Sequence, residues 1–310
     1  MARESFDPCH VADALWKQVA MEGILYGIKV ASVTKEILRK LDSIQAHVGA
    51  FILGVRQTCS HDAIRKELGW KSMSTIIYTR KLLYWERLAS LDTENWAHLA
   101  FKDCHNSKGK INGDLWLSSW RKEIQEIFVE CKIVDAFKYH ISRKKSIKKV
   151  IEEWELKQLA EACKGSSLRG MPEYEKTNKM QSYVDHSEAS MTIAKFRLGD
   201  ARLGNRSTPV IKDCRLCHQG RNNNNEAHII FSCNMTGKML NDDFPALQHF
   251  KEKHKNKVDE NGKLKYLLGG DGCSREELMK RGKELATLLL KIHEVIDIQE
   301  FSDMLRDLRD

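Results

Sequence analysis

From Thr34 onward, apolar residues return every three or four positions: Ile37, Leu41, Ile44, Val48, Phe51 and Val55. That step is close to the period of an α-helix and sets one apolar stripe along one face. Ser32 or Thr34 can cap its start, and Gly54 weakens its last turn. Ser60 predicts the cap of a short helix that stops at Gly69, a residue type that accepts left-handed backbone. A third helix is expected from Ser72, with Met73, Ile76, Ile77, Leu83 and Leu88 turned inward. Trp70 and Trp85 are large enough to anchor these helices together. Upstream, His10 to Val30 also reads as helix, broken or bent near Gly23 and Gly27.

A polar break at Cys104-His105-Asn106-Ser107-Lys108-Gly109 marks a boundary or an exposed loop. Helical spacing resumes with Trp116, Trp120, Ile124, Phe128 and Ile133. Then Lys138, Arg143, Lys144, Lys145, Lys148 and Lys149 follow without an acid, interleaved with Tyr139, Ile141, Ile147 and Val150. This pattern fits a helix with one apolar and one basic face, which either contacts phosphate or is only solvated. Gly165 to Asn178 reads as a linker, and Lys251 to Lys257 as a polar loop. Gly262, Gly269, Gly270 and Gly272 punctuate the approach to a last helix. Its start, Ser274-Arg275-Glu276-Glu277, has capping-box spacing. Its apolar stripe is Leu278, Leu285, Leu288, Leu289, Ile292, Val295, Ile296 and Phe301, the mark of a packing helix.

The fold expected is therefore mainly α: a helical body (1–103), a helical connector (104–190), a small metal-binding module (191–240) and a helical tail (241–310). Only 4 prolines interrupt the 310 residues. The formal charge of +8 favours an anionic partner, nucleic acid first. Met1 to Phe6 has no long apolar core of the kind a signal peptide needs, and no run of 18 apolar residues suits a membrane span. With nine cysteines, an odd number, these features point to a reducing, intracellular setting in which clustered cysteines bind metal.

One such cluster stands out. Cys214-Arg215-Leu216-Cys217 is followed after ten residues by His228 and then by Cys233, the pattern C-x2-C-x10-H-x4-C. Two thiolates two residues apart grip one ion from a tight turn, and the His and Cys supply the other corners. Four such donors with no spare position describe a closed, structural zinc site. Asn222 to Asn225 suits a loop tip between the pairs. Cys9, Cys59, Cys104, Cys131, Cys163 and Cys273 are scattered and read as packing.

Three stretches carry a resemblance. The first is Ile24-Leu25-Tyr26-Gly27, then Leu41-Asp42-Ser43-Ile44-Gln45, then Phe51-Ile52-Leu53-Gly54-Val55. The second is Glu67-Leu68-Gly69-Trp70 with Arg80-Lys81-Leu82-Leu83-Tyr84-Trp85. The third is Phe196-Arg197-Leu198-Gly199-Asp200-Ala201-Arg202-Leu203-Gly204-Asn205, running into the Cys-Cys-His-Cys cluster, with Glu226 just before His228. In this order they resemble the thumb and terminal zinc-binding region of a non-LTR (LINE-type, jockey-like) retrotransposon reverse transcriptase, over most of residues 20–235.

The resemblance implies a thumb-like body that holds nucleic acid, RNA or an RNA–DNA duplex, with RNA ahead of DNA. It implies phosphate contacts from Arg197, Arg202 and Arg206, joined by Lys144, Lys145, Lys148 and Lys149. Phe231 either stacks on a base or packs under the metal site. The polymerase signature departs from the family: the only Asp-Asp pair, Asp242-Asp243, follows the zinc cluster. A polymerase needs such carboxylates for its catalytic metals, so the chain is expected to be a binding fragment, not an enzyme. The alternatives are a protein-interaction or dimerisation module, or a nonfunctional transposon relic. Work on chromosomal DNA by the resembled family implies the nucleus.

Overall fold

The computed structural model describes residues 7–106, 115–133, 144–163, 179–201, 214, 216–217, 226–240, 243–255 and 259–307. Among these the regular elements are all helices, with no strand. The first helical run is α1 (Pro8–Leu15), a π-helical turn (Trp16–Ala20) and α2 (Met21–Ile24). It ends in turns around Gly27, whose φ is 70°. Then come α3 (Lys35–Leu53), α4 (His61–Leu68), α5 (Met73–Ala89), α6 (Trp96–Asn106), α7 (Leu115–Glu130) and α8 (Lys144–Cys163). The second half holds α9 (Glu188–Arg197), α10 (Glu226–Phe231), α11 (Asn234–Met239), α12 (Pro245–Lys253), α13 (Glu260–Lys265), a π-helical turn (Tyr266–Gly270) and α14 (Arg275–Asp307).

The starts follow the hydroxyl caps. Thr34 accepts from the N–H of Ile37 at 3.3 Å, Ser72 from Thr75 at 3.0 Å, and Ser274 from Glu277 at 3.2 Å. Each satisfies one of the orphan donors of a helix N-terminus. Two caps come from distant helices: Glu155 of α8 accepts from Ser72 N–H at 2.8 Å, and Glu284 of α14 accepts from Ala246 and Leu247 at the start of α12. Gly69 ends α4 with φ 63°. A Cβ there would lie 2.2 Å from the carbonyl carbon of Lys179, so glycine also admits the incoming chain. Gly54 does more than weaken a turn: at φ 63° it terminates α3.

The stripe on α3 forms as spaced, but it is not the buried face. Leu38, Gln45, Ala46, Gly49, Ala50, Ile52 and Leu53 face the core, whereas Ile37, Ile44 and Phe51 stay exposed, Phe51 at 85%. Small residues decide this: Gly49 lets Ile64 of α4 approach so closely that a Cβ would be 2.5 Å from its methyl. On α5, Met73 and Ile77 are buried as expected, while Ile76, Leu83 and Leu88 are half-buried. Lys81 is fully buried, 2.8 Å from Glu123 of α7. Trp70 stacks on Trp16 at 5.7 Å between centroids, and Trp85 meets Phe101 and Phe128 edge-on.

The polar break lies partly in α6, which runs through Asn106; residues 107–109 lie outside the described ones. So does the linker, 165–178. The segment expected as a polar loop from Lys251 begins instead as helix, because Lys251, Glu252 and Lys253 close α12. Pro245 fits the first turn of that helix, and Leu247 and Phe250 bury one face of it. Leu278, Leu285, Leu288, Ile292 and Ile296 of α14 are buried, and this helix packs chiefly on α9 and α12; the side chain of Phe301 lies outside the described ones. Buried residues from all four sequence segments join a single hydrophobic cluster.

Candidate metal centre

α10 carries His228, and the chain then folds back so that the N–H groups of Ser232 and Cys233 both donate to the His228 carbonyl, at 2.8 and 2.9 Å. Cys233 is the residue from which α11 starts. Cys214 and Cys217 face this pair, Cys217 from a turn. The four donor atoms all lie within 4.8 Å of one another. Cys214 Sγ is 3.9 Å from Cys233 Sγ, and Cys217 Sγ is 3.6 Å from His228 Nε2. Cys214, His228 and Cys233 are buried and Cys217 is half-buried. This Cys3His group can hold a metal ion.

The thiols differ in electrostatics. Burial pushes Cys214 up to about 11, against the N–H groups of Cys217 and Leu216 that point at its sulfur. Burial acts the same way on Cys233, but the N–H groups of Thr236 and Met235 more than offset it and hold that thiol below its usual value. A bound cation would displace the proton from Cys214, so loading is pH-dependent.

Nothing in the residue pattern singles out Lys251, which the fold brings towards the cluster. This half-buried residue of α12 has its ammonium pKa lowered by burial, with the charge of Cys233 acting in the opposite sense. Three thiolates around a divalent ion leave one net negative charge, which a nearby ammonium offsets. Phe231, between two ligands, packs on Phe250 at 6.2 Å between centroids. Phe250 stacks on His254 at 4.5 Å, and the Arg281 guanidinium lies 4.8 Å over the Phe250 ring.

The expected phosphate contacts fare differently. Arg197 is a correction: it is 2% exposed, its Nε donates to Glu67 at 2.8 Å and its Nη1 to the Leu268 carbonyl at 2.9 Å. Tyr183 donates to the other Glu67 oxygen at 2.8 Å. The guanidinium is thus buried and paired inside the fold. Lys148 and Lys149 are exposed on α8, with Lys149 3.9 Å from Glu153. Lys144 and Lys145 open α8, their side chains outside the described ones; Arg202 and Arg206 lie outside the described residues. α8 packs on α5 and α4, whereas the metal-bearing helices adjoin α13 and α14. A cleft of about 400 Å³ beside the start of α3 is lined by Lys35 and Lys122 as well as Glu123, Glu126 and Glu130, so it favours neither sign of charge. No described helix is long and apolar enough to cross a membrane. Comparison with family models, with curated proteins and with solved structures finds no match to this chain.

Proposed function

We propose that this chain is a zinc-stabilised nucleic-acid-binding protein, with RNA preferred to DNA, that works by binding and not by catalysis. The observation that carries the zinc part is the closed Cys3His set. A zinc tetrahedron with Zn–S of about 2.3 Å and Zn–N of about 2.0 Å has S–S edges of about 3.8 Å and S–N edges of about 3.5 Å. Two of the six separations, 3.9 and 3.6 Å, are close to these edges, and all six are within 4.8 Å. Four protein donors leave no open position for a reacting water, which favours a structural ion. The nucleic-acid part is supported by the charge of +8, by exposed Lys148 and Lys149, and by the resemblance to a retrotransposon thumb and zinc region.

The test is fluorescence anisotropy with labelled single-stranded RNA across a salt series, beside metal content, for wild type and Cys217→Ser. The expected result is about one zinc per chain, a steep salt slope, and loss of zinc and affinity in the variant. Absence of binding at low salt refutes the nucleic-acid role, and unchanged zinc in Cys217→Ser refutes the ligand set. One observation favours a second reading, protein association: Ile37, Ile44 and Phe51 form an exposed apolar stripe on α3. Sedimentation that depends on concentration, without RNA affinity, would favour it.

A further inference from the structure

We propose that metal loading controls packing far from the metal, through the π-helical turn Tyr266–Gly270, so that the centre braces α4 and α9 as well as its own loop. The inference rests on the metal-binding reading. From the metal side, Phe231 leads to Phe250, and Phe250 to His254 and Arg281. His254 meets the Tyr266 ring at 5.5 Å, and Arg281 Nη1 donates to the Tyr266 carbonyl at 3.1 Å. From the other side, Arg197 Nη1 donates to the carbonyl of Leu268, in the same turn. Two buried arginines therefore hold one turn through two of its carbonyls.

That turn is a kink between two helical segments. Leu268 (φ −89°, ψ 16°) and Gly269 (φ 103°) depart from helical geometry there. Beyond it, Arg197 is paired with Glu67 on α4, and Glu67 also accepts from Tyr183 and, through its carbonyl, from the N–H of Gln181 at 2.9 Å. Without metal, the thiols of Cys214 and Cys233 have no shared cation to hold Phe231 in place. The aromatic stack then loosens and the Tyr266 ring moves with it while Arg281 stays paired with Asp271 and Glu277, so the turn shifts and the Leu268 carbonyl no longer fixes Arg197. The Trp85, Phe101 and Phe128 rings pack together from α5, α6 and α7, and α7 serves as an internal reference.

The experiment is hydrogen exchange on the full chain, zinc-loaded and after chelation, read by peptide. The expected result is at least about tenfold faster exchange in α4, 179–184 and α9, with α7 changed far less. Phe250→Leu, zinc-loaded, is expected to show part of the same acceleration while keeping one zinc per chain. Faster exchange confined to 214–240 overturns the inference, and so does equal acceleration of α7, which would be general unfolding. A chain that binds no metal overturns the zinc reading and this inference together; a metal-binding chain with a local response overturns this inference alone.

Discussion

Glu67→Ala isolates the buried ion pair that joins α4 to α9. Glu67 is 0% exposed and holds Arg197 at 2.8 Å and the Tyr183 hydroxyl at 2.8 Å. Removing the carboxylate leaves a guanidinium buried against the Leu268 carbonyl and the face of Tyr183, 5.1 Å away. Breaking one side of such a pair costs about 3–5 kcal/mol. At roughly 2–3 °C per kcal/mol, melting falls by about 6–15 °C. The double variant Glu67→Leu, Arg197→Met removes both charges and is expected to lose much less than the sum of the single changes, because no charge is left stranded. Thermal unfolding of the zinc-loaded proteins reads this directly. A loss under about 1 kcal/mol in Glu67→Ala, or additive losses, refutes the buried-pair account. RNA binding supplies a separate check: if Arg197 contacted phosphate, the double variant would lower the salt slope by about one. Its burial leads us to expect an unchanged slope.

Gly69→Ala forces a Cβ into the Lys179 backbone at φ 63° and is expected to cost about 2 kcal/mol or more, read as a lower urea midpoint. For Asp271, burial would raise the carboxyl, but the Arg281 guanidinium more than offsets it, so the folded value lies below 3.8. Its contribution is fully present above that unfolded value and is lost as pH falls through the folded one; Asp271→Asn should flatten the acid limb of the stability–pH curve. Lys251→Met should release zinc to a chelator several-fold faster, with Lys251→Arg restoring the wild-type rate; equal rates in all three would remove Lys251 from the metal environment.

Local features are legible in the sequence because their causes are local. Thr34, Ser60, Ser72 and Ser274 cap helices as their hydroxyls suggest, and the ligand spacing of Cys214, Cys217, His228 and Cys233 assembles one cluster. Pattern alone does not say which side of an element the rest of the chain covers. On α3 the larger apolar residues mark one stripe, yet the buried face includes Ala46, Gly49 and Ala50, with Gly49 pressed against Ile64 of α4. Arg197 departs from its expected role for a related reason: its partner, Glu67, is 130 residues away. The two residues sit in separate stretches, Glu67 in Glu67-Leu68-Gly69-Trp70 and Arg197 in Phe196 to Asn205. The ion pair gives those stretches a common physical reason: Glu67 and Arg197 are two halves of one buried contact, and Arg56 with Asp200 forms a second link between the same regions. A charged residue in such a stretch is therefore first a candidate for pairing within the fold, whereas exposed charges such as Lys148 and Lys149 of α8 remain open to solvent.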